Sequence, residues 1–319
     1  MSTIARRLAL AVLLVAMLAV SPARGEDTLK LAVGQINNWE NQMPTLGQEA
    51  GIFKKNGIVL ENFGTQGAGE TLQAVISGSA DIGIGVGTSG AMRAFAKGAP
   101  VRVLAAGFTG TGDLFWYVPA NSPIKSLADA TEATTIAYST SGSTSNSIVL
   151  AFVRELHTKG KPTATGGPPS TFTQVMSGQV DIGWSAPPFG LEEIEQGKIR
   201  LIARGSDVPS MRDQTVRVQI VNAAALAAKK DAIGHFMRAY RETIEWMYAS
   251  PEAVKLYARK IGKPESLVEL SRSQFHPRAA LDPDRLSNID GVMADAVALK
   301  FLEAPLTKAQ LGEFFQIPK

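Results

Sequence analysis

Residues 70–85 of the chain read ETLQAVISGSADIGIG, and residues 170–185 read STFTQVMSGQVDIGWS. Ser77, Gly78, Asp81, Ile82 and Gly83 recur as Ser177, Gly178, Asp181, Ile182 and Gly183. Leu72, Val75 and Ile76 in the first copy, and Phe172, Val175 and Met176 in the second, share one face at helical spacing. Gly78 and Gly178 then stand where a helix stops, because glycine enters the left-handed C′ conformation without steric cost. A short apolar run follows each and ends in a loop. Helix, glycine stop, strand and loop, occurring twice, predict two similar α/β lobes with a cleft between them.

The first 25 residues are set apart. Arg6 and Arg7 precede an apolar run from Leu8 to Val20, and Ser21 to Gly25 supplies small residues. That order is a secretory signal peptide, and the run is shorter than the roughly 20 residues a spanning helix needs. The expectation is export to the periplasm after cleavage between Ala23 and Gly25. Losing three arginines and no acid takes 32 basic residues to 29 against 29 acidic, so a nucleic-acid partner is not expected. No cysteine is present, which excludes both a disulfide framework and an acylated lipoprotein. The 45% apolar composition suits a packed core.

Leu29–Gly34 and Ile58–Phe63 read as strands separated by a helix that ends at Gly51. Alternating strands and helices argue for parallel sheets, whose ligands gather at the carboxyl ends of the strands. Three first-lobe loops point there: 35–39, 65–69 and 87–90. The segment 108–119, FTGTGDLFWYVP, breaks the alternation and reads as the first crossover between lobes, with 215–222 as the return. Trp116 and Tyr117 in that crossover are either walls of a cleft or plugs of the lobe interface. Beyond Ala223 the pattern is helical, with Ile233, Phe236, Met237, Tyr240, Ile244, Met247 and Tyr248 as a core stripe. In the second lobe, Ser139 to Asn146, STSGSTSN, directly precedes an apolar helix. Hydroxyls and free N–H groups there form an anion site or, more plainly, an over-supplied N-cap. The strand of the second repeat ends in Trp184, Ser185 and Phe189, where the first copy has small residues, a divergence that suits a ligand site.

Gly85-Val86-Gly87-Thr88-Ser89-Gly90 fits the dinucleotide fingerprint formally, with Asp113 as the ribose acid. Asp113 falls beyond the next strand, and the second repeat lacks the glycines, so the glycines read instead as room for backbone to approach a small ligand. His157, His235 and His276 are isolated in sequence, without metal spacing, and the pair Glu192-Glu193 reads as a solvated helix face. No cofactor, metal or catalytic constellation is expected.

Gly51-Ile52-Phe53-Lys54-Lys55-Asn56-Gly57, Ser77 to Gly85 as SGSADIGIG, Ala94 to Val101 as AFAKGAPV, and Ser122 to Asp129 as SPIKSLAD resemble the nitrate/sulfonate/taurine group of ABC-importer substrate-binding proteins. The resemblance implies an α/β, type II periplasmic-binding-protein fold, two lobes on a two-segment hinge: residues 26–115 with 220–319, and 116–219. It further implies a monomeric receptor that is not an enzyme, taking a small organic anion in the cleft and delivering it to ABC permease subunits. Closure would set Asn38, Trp39, Gln66, Gly67, Thr88 and Ser89 against Ser139, Ser141, Ser143, Thr144, Trp184 and Ser185. Two alternatives stand beside it: a receptor for a neutral heteroaromatic such as a thiamine-precursor pyrimidine, with Asn and Gln reading ring edges and Trp39 stacking, and an exported enzyme on the same fold. The first loop, GQINNWEN, departs from the pattern of any one ligand in the group. The cysteine- and histidine-using enzymatic branch does not fit a chain without cysteine.

Overall fold

The computed structural model describes residues 27–318, and the expected leader at 1–25 lies outside them. The first series of elements is β1 (Asp27–Gly34), α1 (Met43–Glu49), α2 (Ile52–Lys55), β2 (Ile58–Thr65), α3 (Ala68–Ile76), β3 (Ile82–Gly87), α4 (Thr88–Ala96) and β4 (Val101–Thr109). The second is β5 (Phe115–Pro119), β6 (Thr135–Tyr138), α5 (Thr144–Glu155), β7 (Lys161–Ala164), α6 (Pro168–Met176), β8 (Gly183–Ser185), α7 (Leu191–Glu195) and β9 (Ile199–Arg204). After β10 (Thr215–Asn222) come only helices: α8 (Ala223–Ala228), α9 (Lys230–Ala249), α10 (Pro251–Ile261), α11 (Glu265–Phe275), α12 (Ile289–Ala298) and α13 (Lys308–Phe314). Among the described residues no helix is long and apolar enough to cross a membrane.

Each series forms its own sheet. The first has the order β2-β1-β3-β10-β4, parallel among β1, β2 and β3 and antiparallel at β10. In the second, β8-β5-β9 is joined to the parallel pair β6-β7 through the Ile136–Ile182 bridge, with Ala137 N donating to Ile182 O at 2.8 Å. Across the lobe the order is β7-β6-β8-β5-β9. This is the plan of the first sheet with β5 in the place of β10, so each lobe's inserted strand follows a crossover, at 110–114 or 205–214.

The repeated stretch accounts for this likeness locally. Its two copies are α3 with β3 and α6 with β8. Gly78 and Gly178 have φ of 76° and 74°, the left-handed stop expected of them. Asp81 Oδ2 accepts from Lys30 N at 2.9 Å, and Asp181 Oδ2 accepts from Thr135 N at 2.8 Å. In both lobes the recurring carboxylate therefore pins the repeat's strand to the strand beside it. Thr65 and Thr71 hydroxyls meet at 2.7 Å, and Thr165 and Thr171 at 2.6 Å, a further correspondence.

Apolar faces then pack each sheet. Leu29, Leu31 and Val33 alternate toward Phe236, Met237, Tyr240 and Ile244 of α9, so the expected stripe is core. Val86, Val103, Val218 and Ile220 pack on the other face with Met92, Phe95 and Phe314. Trp116 and Tyr117 both sit on β5 in the second lobe's core, where Trp116 is a packing residue and Tyr117 also lines a cavity with Phe172 and Phe189. Trp116 Nε1 donates to Ala137 O at 2.8 Å, and its ring meets Phe152 edge-on at 4.8 Å.

Candidate ligand-binding site

The first loop turns sharply at Gln35, whose φ of 51° is unusual for a residue with a Cβ. Trp39 then drives into the first lobe's core, fully buried, edge-on to Tyr257 at 5.2 Å and donating through Nε1 to Tyr248 Oη at 3.1 Å. Tyr257 Oη donates to Asn37 O at 2.5 Å and pins the loop from the same side. With Trp39 anchored inward, Glu40 and Asn41 of the short 3-10 turn face the cleft. They line a cavity between the lobes together with Gln35, Asn38, Ser143, Trp184 and Arg217.

A buried charged cluster forms the floor. Arg217 of β10 lies 2.5 Å from Asp113 Oδ2 and 3.8 Å from Glu40 Oε1, with its guanidinium 4.5 Å above the Phe108 ring. His276 Nε2 lies 3.2 Å from Glu40 Oε2, and its Nδ1 lies 3.2 Å from Ser271 O. Burial would raise the Glu40 carboxyl, but the His276 contact and the Arg217 charge outweigh it and hold it at about 2. For Asp113 burial prevails over the pull of Arg217, and the carboxyl is raised from its ordinary range. Two carboxyl groups thus face the Arg217 guanidinium, which is already paired within the protein.

Several of these groups lack a well-directed partner. Asn41 Oδ1 and Arg217 Nε are buried without a hydrogen bond, as is Asp113 Oδ1 behind them, and Glu40 Oε2 has only its poorly directed contact with His276. Buried polar groups are ordinarily satisfied, so such a concentration on a cavity wall marks a place where a polar ligand would find hydrogen-bond partners. Across the cleft, Ser143 Oγ accepts from Asn146 N at 3.1 Å, and Ser145 Oγ accepts from Ser139 N at 3.0 Å. The serine-rich loop is thus an N-cap of α5 whose hydroxyls also face the cavity.

Of the residues expected to bind, Asn38, Ser139, Ser143, Thr144 and Trp184 line this inner cavity. Gln66 lines an outer cavity at the mouth of the cleft, and Ser185 lines a third in the second lobe. Trp39 is a correction, because the ring expected to stack on ligand is a core anchor. Thr88 is another: its Oγ1 donates to Thr215 O at 2.7 Å, and Thr88 and Ser89 are buried in the first turn of α4 rather than in an open loop. Ser141 is exposed. At Gly67 a Cβ would come 2.8 Å from Thr140 Oγ1, and at Gly90 it would overlap the Gly142 carbonyl oxygen. Gly67, Gly87 and Gly90 make room for the opposite lobe's loop, whereas Gly85 lines the inner cavity beside Asn41. His276, read as isolated, and the return-strand Arg217 belong to the floor. The sequence signal was, for Arg217, a charge inside an apolar crossover strand, VRVQIV, and, for Asp113, an acid in a glycine-rich crossover, GTGD; His276 had none.

These features define a two-lobed α/β protein of the type II periplasmic-binding-protein fold. The family described as NMT1/THI5 like matches residues 43–254, and the chain belongs to that family. The alkanesulfonate-binding protein SsuA from Xanthomonas axonopodis pv. citri, bound to MOPS, superposes with a TM-score of 0.75 at 16% identity, covering 93% of this chain and 100% of that one. The periplasmic aliphatic sulphonate binding protein SsuA from Escherichia coli gives 0.68 at 18% identity, with 92% of each chain covered. The periplasmic nitrate-binding protein NrtA from Synechocystis PCC 6803 gives 0.68 at 13%, covering 92% of this chain and 86% of that one. No curated protein matches the sequence.

Proposed function

We propose that the protein is the extracytoplasmic receptor of an ABC importer, closing two lobes over a small solute and handing it to membrane permease subunits. The observation that carries this reading is Asn41 Oδ1 and Arg217 Nε, buried without a hydrogen bond on the wall of an interlobe cavity that Glu40 also lines. In this reading the leader at 1–25 directs export, 26–115 with 220–319 forms one lobe and 116–219 the other, and the receptor acts as a monomer. Its relatives by fold are importer binding proteins, which supports the class.

The ligand chemistry follows from the charges. A sulfonate, nitrate or taurine-like anion would meet an ionised Glu40 and an Arg217 already matched by Asp113. A neutral heteroaromatic instead offers N–H donors to Glu40 and Asn41 and a ring acceptor to Arg217, and an ammonium offers donors to Glu40 and Asn41 alone. The second description suits the cavity better, with Trp184 rather than Trp39 as its aromatic wall.

Thermal-shift screening of the mature protein against amines, pyrimidines, sulfonates, nitrate and aromatic carboxylates tests both levels. A ligand at a hundred times its Kd adds about 2.7 kcal/mol to the folded state. A shift with pyrimidines or amines supports the reading in full. A shift with sulfonates or nitrate alone keeps the receptor and overturns the ligand chemistry, and no shift with any class counts against the receptor.

A further inference from the structure

The inner cavity measures about 30 Å³, room for a water or two, so it holds at most the head of an organic solute. Two larger cavities lie in series beside it. One of about 440 Å³ shares Gln35 and Asn38 with the inner cavity. It shares Pro168, Pro169 and Phe189 in turn with one of about 330 Å³ in the second lobe.

This last cavity is apolar along Phe172, Phe189 and the Tyr117 ring, yet it holds two buried polar atoms without partners, Tyr117 Oη and Glu193 Oε2. Tyr117 is 1% exposed. A carboxylate oxygen only accepts, and a phenol can donate or accept. Burial, together with the nearby Glu193 charge, pushes the Tyr117 phenol up, so it keeps its proton. The adjacent Lys263 Nζ lies 2.5 Å from Glu192 Oε2. Glu193, placed by the sequence reading on a solvated face, thus has one carboxylate oxygen buried in this cavity without a hydrogen bond.

We propose that this cavity is a second subsite for the same solute. The solute's apolar body lies along Phe172 and Phe189, and a far-end ammonium, or another N–H or O–H donor, meets Glu193 and Tyr117. The inference rests on the receptor reading and adds to it the size and far-end chemistry of the ligand: an elongated amphipathic amine with a donor at each end.

Isothermal titration of n-alkylamines from ethyl to octyl, the matching α,ω-diamines, phenylalkylamines and alkanesulfonates tests it on wild type, Glu193→Gln and Phe172→Ala. Affinity is expected to rise about four-fold per added methylene, the equivalent of about 0.8 kcal/mol. Long diamines should bind at least about ten-fold tighter than monoamines of equal length, charge-assisted hydrogen bonds being the stronger kind. Glu193→Gln should abolish that difference and leave monoamine affinity in place, and Phe172→Ala should flatten the dependence on length. Length-independent binding, sulfonate binding alone, or unchanged diamine affinity in Glu193→Gln overturns the subsite and leaves the receptor standing. A folded protein that binds none of these compounds, and that showed no shift in the wider screen, removes the receptor and the subsite together.

Discussion

Arg217 and Asp113 meet at 2.5 Å in the interior, the first on the strand that returns to the first sheet and the second on the segment that leaves it. Both passages of the chain between the lobes are thereby tied together beneath the cleft. Glu40 joins them from the first loop and His276 from the end of α11.

Replacing Arg217 by Met leaves Asp113 and Glu40 buried without their cation. Breaking one side of such a pair costs about 3–5 kcal/mol, whereas apolar replacement of both sides is far milder. Arg217→Met should lose most of that in urea unfolding at neutral pH, and adding Asp113→Leu should restore part of it.

Acid should expose Glu40. Its folded pKa of about 2 lies below the ordinary 4.5, so its contribution is present in full above pH 4.5 and is lost as pH falls toward 2. The loss is on the order of 3 kcal/mol. Asp113, raised by burial, works the other way and offsets some of it. Unfolding measured from pH 7 to pH 2 should show a steeper acid loss in wild type than in Glu40→Gln, and parallel curves would assign the titration elsewhere.

The two loop tryptophans should separate. Trp39→Ala removes a fully buried anchor and should cost about 3–5 kcal/mol. Trp184 lines the cavity and donates through Nε1 to Gly166 O at 3.2 Å. Trp184→Phe keeps most of the packing, so it should cost about 1 kcal/mol while weakening ligand binding, read by calorimetry.

Gly90→Ala places a methyl against the Gly142 carbonyl oxygen across the cleft. The lobes should be held apart while each stays folded. Small-angle scattering should report a larger radius of gyration with an unchanged circular dichroism spectrum.

The repeat was readable because its devices are local or nearly so. A glycine stop and a helical face act within a few residues, and Asp81 and Asp181 repeat the same bond to a neighbouring strand. From these alone the chain had to build the same α/β unit twice. The Ser139–Asn146 cap was readable for the same reason, since its bonds span only a few positions.

The site's floor was not readable. Glu40, Asp113, Arg217 and His276 are scattered over more than two hundred positions, and only the charge within VRVQIV and the acid within GTGD set two of them apart in sequence. Trp39 shows the same limit from the other side: its position at a strand end suggested ligand, and only the helices packed from beyond residue 230 made it core. Sequence periodicity settled which segments become strands and helices, because those choices are made within one turn or one pleat. Which loop side chains face inward, and that one guanidinium must answer two carboxylates, was decided by the crossing of the chain between lobes, where burial removes water and leaves these groups only one another.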